Sequence, residues 1–282
     1  MVLKEDVAAS VVLYNSQIEC IIQIISYINQ VSKLYVIDNS EEPNQELINQ
    51  LLTLNTVEYI SNEGNQGVAY ALNQAASLAI HDGFSYLLTM DDDSRAPARM
   101  VQTMLDFINT FDAGRIGILS VAHSKPNSRA NFKFVTYTMT SGNLLNLDAY
   151  CQSGPFDDQL FIDYVDHEYS LRLKSKGFTT IELAGLKLEH HLGVEKSRQF
   201  FSCTISFVSH SPRRLYYLVR NGIYIVRKYM ALYPIPCLAL SSLTVKEIMK
   251  SLIIEDNKLV RAKYLGRAIS DGFGKRMGKL ID

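Results

Sequence analysis

The sequence predicts an α/β fold, with a mostly parallel central sheet flanked by helices and followed by a helical, basic C-terminal extension. Three observations predict it. Short β-branched apolar runs alternate with helix-length stretches through the first 90 residues, polar residues collect directly after those runs, and Lys and Arg concentrate in residues 211–282. Val7–Leu13 (VAASVVL) is the first apolar run and ends in Tyr14-Asn15-Ser16, and a helical stretch follows over about 19–29. Residues 34–37 (LYVI) repeat the strand pattern and close on Asp38-Asn39-Ser40. Strand, helix and strand in that order form a βαβ unit, which implies parallel pairing beneath covering helices.

The unit recurs. Residues 43–54 are helical in period, 57–60 extended, Val68–His81 helical, and 85–90 extended, ending at Asp91-Asp92-Asp93. Ligands in open α/β sheets bind outside the carboxyl ends of the strands, so four polar segments are expected to face one crevice. Further on, 99–111 read as a helix, 117–122 as a strand, and 132–147 as two extended segments around Gly142. A helix follows from about Asp163 to Lys176, stopped by Gly177, and then extended stretches at 178–183 and 186–188. From Pro212 onward the pattern is mainly helical, which divides the chain into a catalytic-sized body, 1–210, and an extension, 211–282.

A chain of 282 residues that is 47% hydrophobic and 20% charged, with 15 Gly and 7 Pro, is neither disordered nor collagen-like. The net charge of −1 conceals an asymmetry: residues 1–210 carry 14 Lys and Arg against 24 Asp and Glu, whereas 211–282 carry 14 against 5. A basic tail expects an anionic partner. No helix-turn-helix, OB or RNA-recognition signature accompanies it, so nucleic acid is set aside and an anionic membrane surface or a second copy of the chain remains. The uncharged stretch 229–245 contains Pro234 and Pro236 and falls short of the roughly 20 apolar residues that a membrane span needs, which favours an interfacial segment. Cys20, Cys151, Cys203 and Cys237 lack metal or disulfide spacing and read as reduced core residues. The N-terminal residues, charged at Lys4, Glu5 and Asp6, are unlike a secretory signal, and a cytoplasmic protein is expected.

Asp91-Asp92-Asp93 places three mutually repelling carboxylates after a strand, an arrangement stabilised by a divalent cation; Mg²⁺ and Mn²⁺ accept one or two carboxylates together with phosphate oxygens. Asp163 and Asp166, three residues apart, are expected on one helical face, and a carboxylate there can serve as a general base; Glu168 and Arg172 have the spacing of an ion pair. In His190-His191 only one imidazole of an extended pair can face a given metal. The stretch Asn62-Glu63-Gly64-Asn65-Gln66-Gly67 opens a helix with small residues, which permits close approach of a phosphate or nucleotide. It lacks the spacing of a P-loop or a dinucleotide fingerprint, and no GxSxG or HExxH motif is present.

Together, VVLYN, VIDNS, NEGNQGVAYALNQA, TMDDDS, LFIDYVDHEYSLRLKSKGF and LEHHLG, in that order, resemble the inverting glycosyltransferases of family 2 with the GT-A fold, over nearly the whole chain. SGNLLN, FIDYVDHEY and SPRRLYYLVRNGIYIVRKY look closest to bacterial rhamnosyltransferases. The resemblance implies transfer of rhamnose from dTDP-rhamnose to a lipid-linked surface-polysaccharide acceptor, such as an O-antigen of the cell envelope. It leaves as alternatives transfer of galactofuranose or another hexose from a UDP-sugar, or a non-catalytic nucleotide-sugar-binding scaffold. It further implies that Asp38, Tyr14, Asn62, Asn65, Gly67, Asp91 and Asp92 bind the nucleotide and that Asp93 and His190 hold Mn²⁺ or Mg²⁺. His190 is chosen over His191 because it follows Asp166 by 24 residues. By the same resemblance Asp166 is the catalytic base, and Asp163, Ser141, Gly142 and Asn143 face the donor sugar or the acceptor. Cytosolic donors and a lipid-linked acceptor suit a protein peripheral on the inner face of the cell membrane, with a homodimer as a further possibility for the tail.

Overall fold

The computed structural model describes residues 1–111, 115–122, 130–190, 195–200 and 203–281. They form two compact units, Met1–Asp157 with Asp166–His190, and Asp158–Val165 with His191–Asp282. In the first, β1 (Val7–Leu13), α1 (Cys20–Ile28), β2 (Lys33–Asp38), α2 (Gln45–Leu51), β3 (Val57–Ser61), α3 (Val68–His81) and β4 (Tyr86–Asp91) alternate in the predicted order. β1 lies between β2 and β4 with β3 outside β2, all parallel. Val7, Ala8, Ala9 and Val11 are fully buried, which is why β1 reads as a continuous apolar run rather than an alternating one. α3 covers the sheet with Ala69, Ala71, Ala75, Ala76 and Ala79, whose small side chains let its backbone approach closely.

The chain continues through β5 (Ser94–Arg95), α4 (Met100–Thr110), β6 (Ile116–Ala122), β7 (Phe132–Val135), β8 (Asn143–Asn146), α5 (Leu147–Ser153), α6 (Val165–Ser175), β9 (Thr179–Lys187) and β10 (Glu189–His190). The sheet order is β3-β2-β1-β4-β8-β6-β9-β7. β8 runs antiparallel between β4 and β6, β9 is parallel to β6, and β7 is antiparallel at the edge. Register sets up the site. Leu13 lies opposite Asp38, Val12 opposite Asp91, and Thr89 opposite Asn143, so the carboxyl ends of β1, β2 and β4 share one sheet edge with the start of β8.

The second unit holds the hairpin β11 (Glu195–Phe200) and β12 (Cys203–Val208), then α7 (Pro212–Tyr229), α8 (Pro234–Ile253) and α9 (Lys258–Gly274). Ser211 caps α7 by accepting the Arg214 N–H at 3.1 Å, with proline at the first helical position. Arg220 is 1% exposed, and its guanidinium donates to the carbonyls of Gly278, Gln159 and Leu160 at 2.6, 3.2 and 3.1 Å. A buried cation with this many carbonyl acceptors is tolerated because its donors are satisfied.

Several expectations need correction. α6 starts at Val165, not at Asp163: Asp163 and Tyr164 have φ of +62° and +65°, left-handed values that precede the helix, so Asp163 does not share a helical face with Asp166. Asn221 Nδ2 holds this strained backbone by donating to the carbonyls of Leu160, Ile162 and Asp163. The uncharged stretch 229–245 is divided between two helices, α7 ending at Tyr229 and α8 starting at Pro234, and both prolines occupy the first turn of α8, where the missing N–H groups cost nothing. α5 was not expected, and Asn146 nucleates it by accepting the N–H groups of Asp148 and Ala149. Cys20 and Cys237 are buried and free, but Cys151 is exposed. Among the described residues no helix is long and apolar enough to cross a membrane.

Candidate active site

The polar ends of β1 to β4 are tied to one another by hydrogen bonds. The Asn39 N–H donates to the Leu13 carbonyl and the Asn62 N–H to the Asp38 carbonyl, both at 2.9 Å, extending the strand ladders past their last residues. Asn39 Nδ2 reaches the Gly67 carbonyl at 3.1 Å, and Asn62 Nδ2 reaches Asn39 Oδ1 at 2.9 Å. Asn65 Oδ1 accepts the Gly67 N–H at 2.9 Å, which shapes the turn that enters α3. Asn62, Asn65 and Gly67 therefore sit against the end of β2.

Asp38 is 2% exposed. Its Oδ1 accepts the Ser40 N–H and its Oδ2 the Tyr59 hydroxyl, both at 2.8 Å. Each oxygen retains a second lone pair for a ligand donor. Burial, reinforced by the bond to Asp38, pushes the Tyr59 phenol well above its ordinary value, so it acts as a donor here. Asn15, in the left-handed region at φ +52°, donates its N–H to Ser40 Oγ at 2.8 Å. Tyr14 is about half exposed beside it, and its N–H donates to Ser16 Oγ at 3.1 Å. A cleft of about 390 Å³ opens at this corner, lined by Asn15, Ser16, Gln17, Glu41, Glu42 and Asn44.

The three aspartates diverge in their partners. The Asp91 N–H donates to Ser141 Oγ at 3.0 Å, Asp92 accepts a short hydrogen bond from Ser16 Oγ, and Asp93 precedes Ser94, whose backbone pairs antiparallel with His190. The β5 to β10 pairing thus brings the main chain of His190 alongside the residue that follows Asp93; the His190 side chain and His191 lie outside the described part. A carboxylate and an imidazole are suitable donors for Mn²⁺, and to a lesser degree Mg²⁺, so the chemistry of this pair fits a divalent cation. Among the described residues, no three His, Cys, Asp or Glu side chains gather closely enough to hold an ion.

Ser141, Gly142 and Asn143 form the turn into β8. The Gly142 N–H donates to the Thr89 carbonyl at 2.8 Å and its carbonyl accepts the Val121 N–H at 3.3 Å, so the turn is stitched between β4 and β6. Asp166 lies at the start of α6 and lines, with Thr89, Thr140, Asn143 and Tyr169 among others, a small cavity of about 10 Å³. Its Oδ1 accepts both the His167 N–H at 2.8 Å and His167 Nδ1 at 2.7 Å. Burial works against the charged Asp166 carboxyl, but the His167 charge and these hydrogen bonds outweigh it and hold the group below the ordinary aspartate value. Two residues on, Glu168 is wholly buried and takes a two-pronged contact from Arg172 (3.1 and 2.7 Å), the ion pair its spacing suggested.

Asp163 belongs to the second unit, where its Oδ1 accepts from Arg214 Nε and Nη2 at 3.3 and 3.2 Å. The remaining candidates, Tyr14 to Asp166, fall in the first unit on the strand-end side of the sheet. Sequence reasoning missed Ser16, Asn39, Tyr59 and His167. Ser16 and Asn39 lie in the polar strand ends that the sequence picks out and His167 adjoins the candidate base, whereas Tyr59, inside β3, carried no such signal.

Comparison with known proteins adds to this geometry. The model of the family described as glycosyl transferase family 2 matches residues 11–154. The chain is similar to the dTDP-rhamnosyl transferase RfbF of Shigella flexneri, with 27% identity over 270 residues that cover 89% of this chain and 87% of that one. Its fold is similar to S. aureus TarS, with a TM-score of 0.58 at 14% identity over 94% of this chain and 48% of that chain. It is similar too to GalNAc-T7 solved with UDP, GalNAc and Mn²⁺, with a TM-score of 0.60 at 12% identity, covering 95% and 58%. The chain thus spans about half the length of that TarS chain and under two thirds of the GalNAc-T7 chain. These neighbours share the GT-A fold.

Proposed function

The chain belongs to glycosyl transferase family 2 and is a glycosyltransferase, and from that premise we propose that it transfers rhamnose from dTDP-rhamnose to a hydroxyl of a lipid-linked surface polysaccharide, inverting the anomeric centre. One observation carries the donor: the likeness to a dTDP-rhamnosyl transferase extends across 89% of the chain rather than over the nucleotide-binding half alone. Residues 1–210 form the catalytic part in this reading and 211–282 the extension. Tyr14, Asp38, Asn62, Asn65 and Gly67 bind the base and ribose with Asp91 and Asp92. Asp93 and His190 would hold Mn²⁺ or Mg²⁺. Bound there, the cation supplies positive charge against the departing nucleoside diphosphate.

Asp166 accepts the proton of the acceptor hydroxyl as that oxygen forms its bond to the anomeric carbon. The bond from that carbon to the diphosphate breaks with its electron pair leaving on the diphosphate. A single displacement inverts the configuration. Ser141, Gly142 and Asn143, which share the surroundings of Asp166 and Asp91, orient the sugar. Asp163 is assigned to donor or acceptor binding by its place in the motif alone. Thermal unfolding with Mn²⁺ tests the donor: dTDP at about 100 times its Kd is expected to stabilise the protein by about 2.7 kcal/mol, and more than UDP at the same concentration. Greater stabilisation by UDP transfers the assignment to a UDP-sugar, and stabilisation by neither overturns the reading.

The lipid-linked acceptor also gives the extension a role. Residues 211–282 carry 14 Lys and Arg against 5 Asp and Glu, and α8 leaves Ile235, Leu238, Val245 and Met249 exposed at spacings that align them along one face. A basic surface with an exposed apolar stripe suits the headgroup region of an anionic leaflet. The protein of residues 1–282 is expected to sediment with phosphatidylglycerol vesicles and not with phosphatidylcholine vesicles, and the bound fraction should fall as salt rises from about 0.1 to about 1 M. Equal partition to both vesicles, or a concentration-dependent dimer that excludes vesicle binding, contradicts it.

A further inference from the structure

Resting on the reading of Asp166 as the base, we propose that His167 is its positioning residue, holding Oδ1 and so presenting Oδ2 to the acceptor hydroxyl. The two hydrogen bonds that reach this carboxylate from another residue both come from His167, its backbone N–H and ring Nδ1, and both end on Oδ1. No other described residue donates a hydrogen bond to Oδ2. A carboxylate oxygen only accepts, so Nδ1 is the protonated ring nitrogen in this contact. The two oxygens therefore have different tasks: one is fixed to the protein, and the other keeps its lone pairs for a proton.

The imidazole is itself held. Tyr137 stacks on it with ring centroids 4.3 Å apart and planes 29° from parallel. Tyr137 does not swing freely, because its neighbours are anchored on the sheet. Thr138 Oγ1 lies 2.6 Å from Ser120 Oγ, and the Thr140 carbonyl accepts the Thr89 hydroxyl at 2.6 Å. The side chains of Asp166 and His167 are each about four-fifths buried, so solvent competes little for their contact. A chain of contacts thus runs from β4 and β6 through the 136–142 segment to Tyr137, His167 and Asp166. An aspartate without it would sample other rotamers, and the fraction aligned for proton transfer would fall.

The test compares His167→Phe, which keeps a stacking ring and loses the donor, with His167→Asn, whose amide N–H replaces that of Nδ1. The measured reaction is release of dTDP from dTDP-rhamnose with water as acceptor. His167→Phe is expected to lower kcat about 10- to 50-fold with donor KM within twofold of wild type, while His167→Asn stays within about threefold in kcat. In an Asp166→Asn background, His167→Phe is expected to add no further loss. Full kcat in His167→Phe, or no rescue by His167→Asn, overturns the inference while Asp166→Asn still reports on the base. Full activity of Asp166→Asn, or no dTDP release by the wild type, overturns the underlying reading and the inference with it.

Discussion

Asp166→Asn is expected to lower the transfer rate by about 10²- to 10⁴-fold, the usual contribution of a positioned general base, with nucleotide affinity unchanged within about twofold. The asparagine keeps the size of the side chain and can still accept from the His167 N–H, so loss of fold is not the cause; what disappears is the carboxylate that receives the proton. A transfer rate near wild type would eliminate Asp166 as the base. The pH dependence follows from the same contacts. Burial alone would raise the carboxyl, but the charge and hydrogen bonds of His167 lower it below its ordinary value. In the unfolded chain an aspartate titrates near 3.9, about the pH above which the stability due to ionised Asp166 is complete. That stability is lost only as pH falls through the lower folded value. Catalysis follows the same direction, so the acid limb of log(kcat/KM) due to this group is expected below about pH 4, and Asp166 causes no fall between pH 5 and 7. Measuring the profile with the donor decides it: an acid limb near pH 6 that vanishes in Asp166→Asn contradicts the depressed carboxyl.

Much of the architecture was legible because its signals are local. The run from Val7 to Leu13, the alanine-rich face of α3 and the polar residues after each strand are written in consecutive residues, and the first four strands and three helices follow from them. Glu168 and Arg172 were legible too, since a four-residue spacing on a helix leaves little choice of neighbour. The contacts that escaped are long-range. Ser16 meets Asp92 across 76 positions, and the left-handed backbone before α6 depends on Asn221, 58 positions beyond Asp163. Nothing at Asp163 itself announces that conformation, so a helical face shared with Asp166 was the natural reading of the spacing. The prolines of α8 lie where α7 has already ended, and they open the next helix: proline ends a helix in its interior but starts one in its first turn.

Gly142→Ala is expected to destabilise the protein by about 2–4 kcal/mol, because two separate penalties meet at one Cβ. The first is conformational. Gly142 has φ of +77°, where an alanine is strained by about 1 kcal/mol. The second is steric: a Cβ here would stand 2.6 Å from Val121 Cγ2 and 2.8 Å from Leu188 Cδ1. Val121 is fully buried in β6 and stiff at χ1, so it cannot yield, and the turn itself must move. Moving it disturbs the contacts of Gly142 with Thr89 and Val121 and the Ser141 hydroxyl bonded to the Asp91 N–H, so the loss spreads to the aspartate segment. Gly83 separates the two penalties. Its φ of +85° is similar, but a Cβ there meets nothing within 4 Å. Gly83→Ala should therefore show the conformational cost alone, about 1 kcal/mol, while Gly142→Ala lowers Tm by roughly 5–15 °C. Equal losses in the two variants would mean that the crowding at Val121 is absorbed, and that the turn before β8 does not hold Asp91 in place.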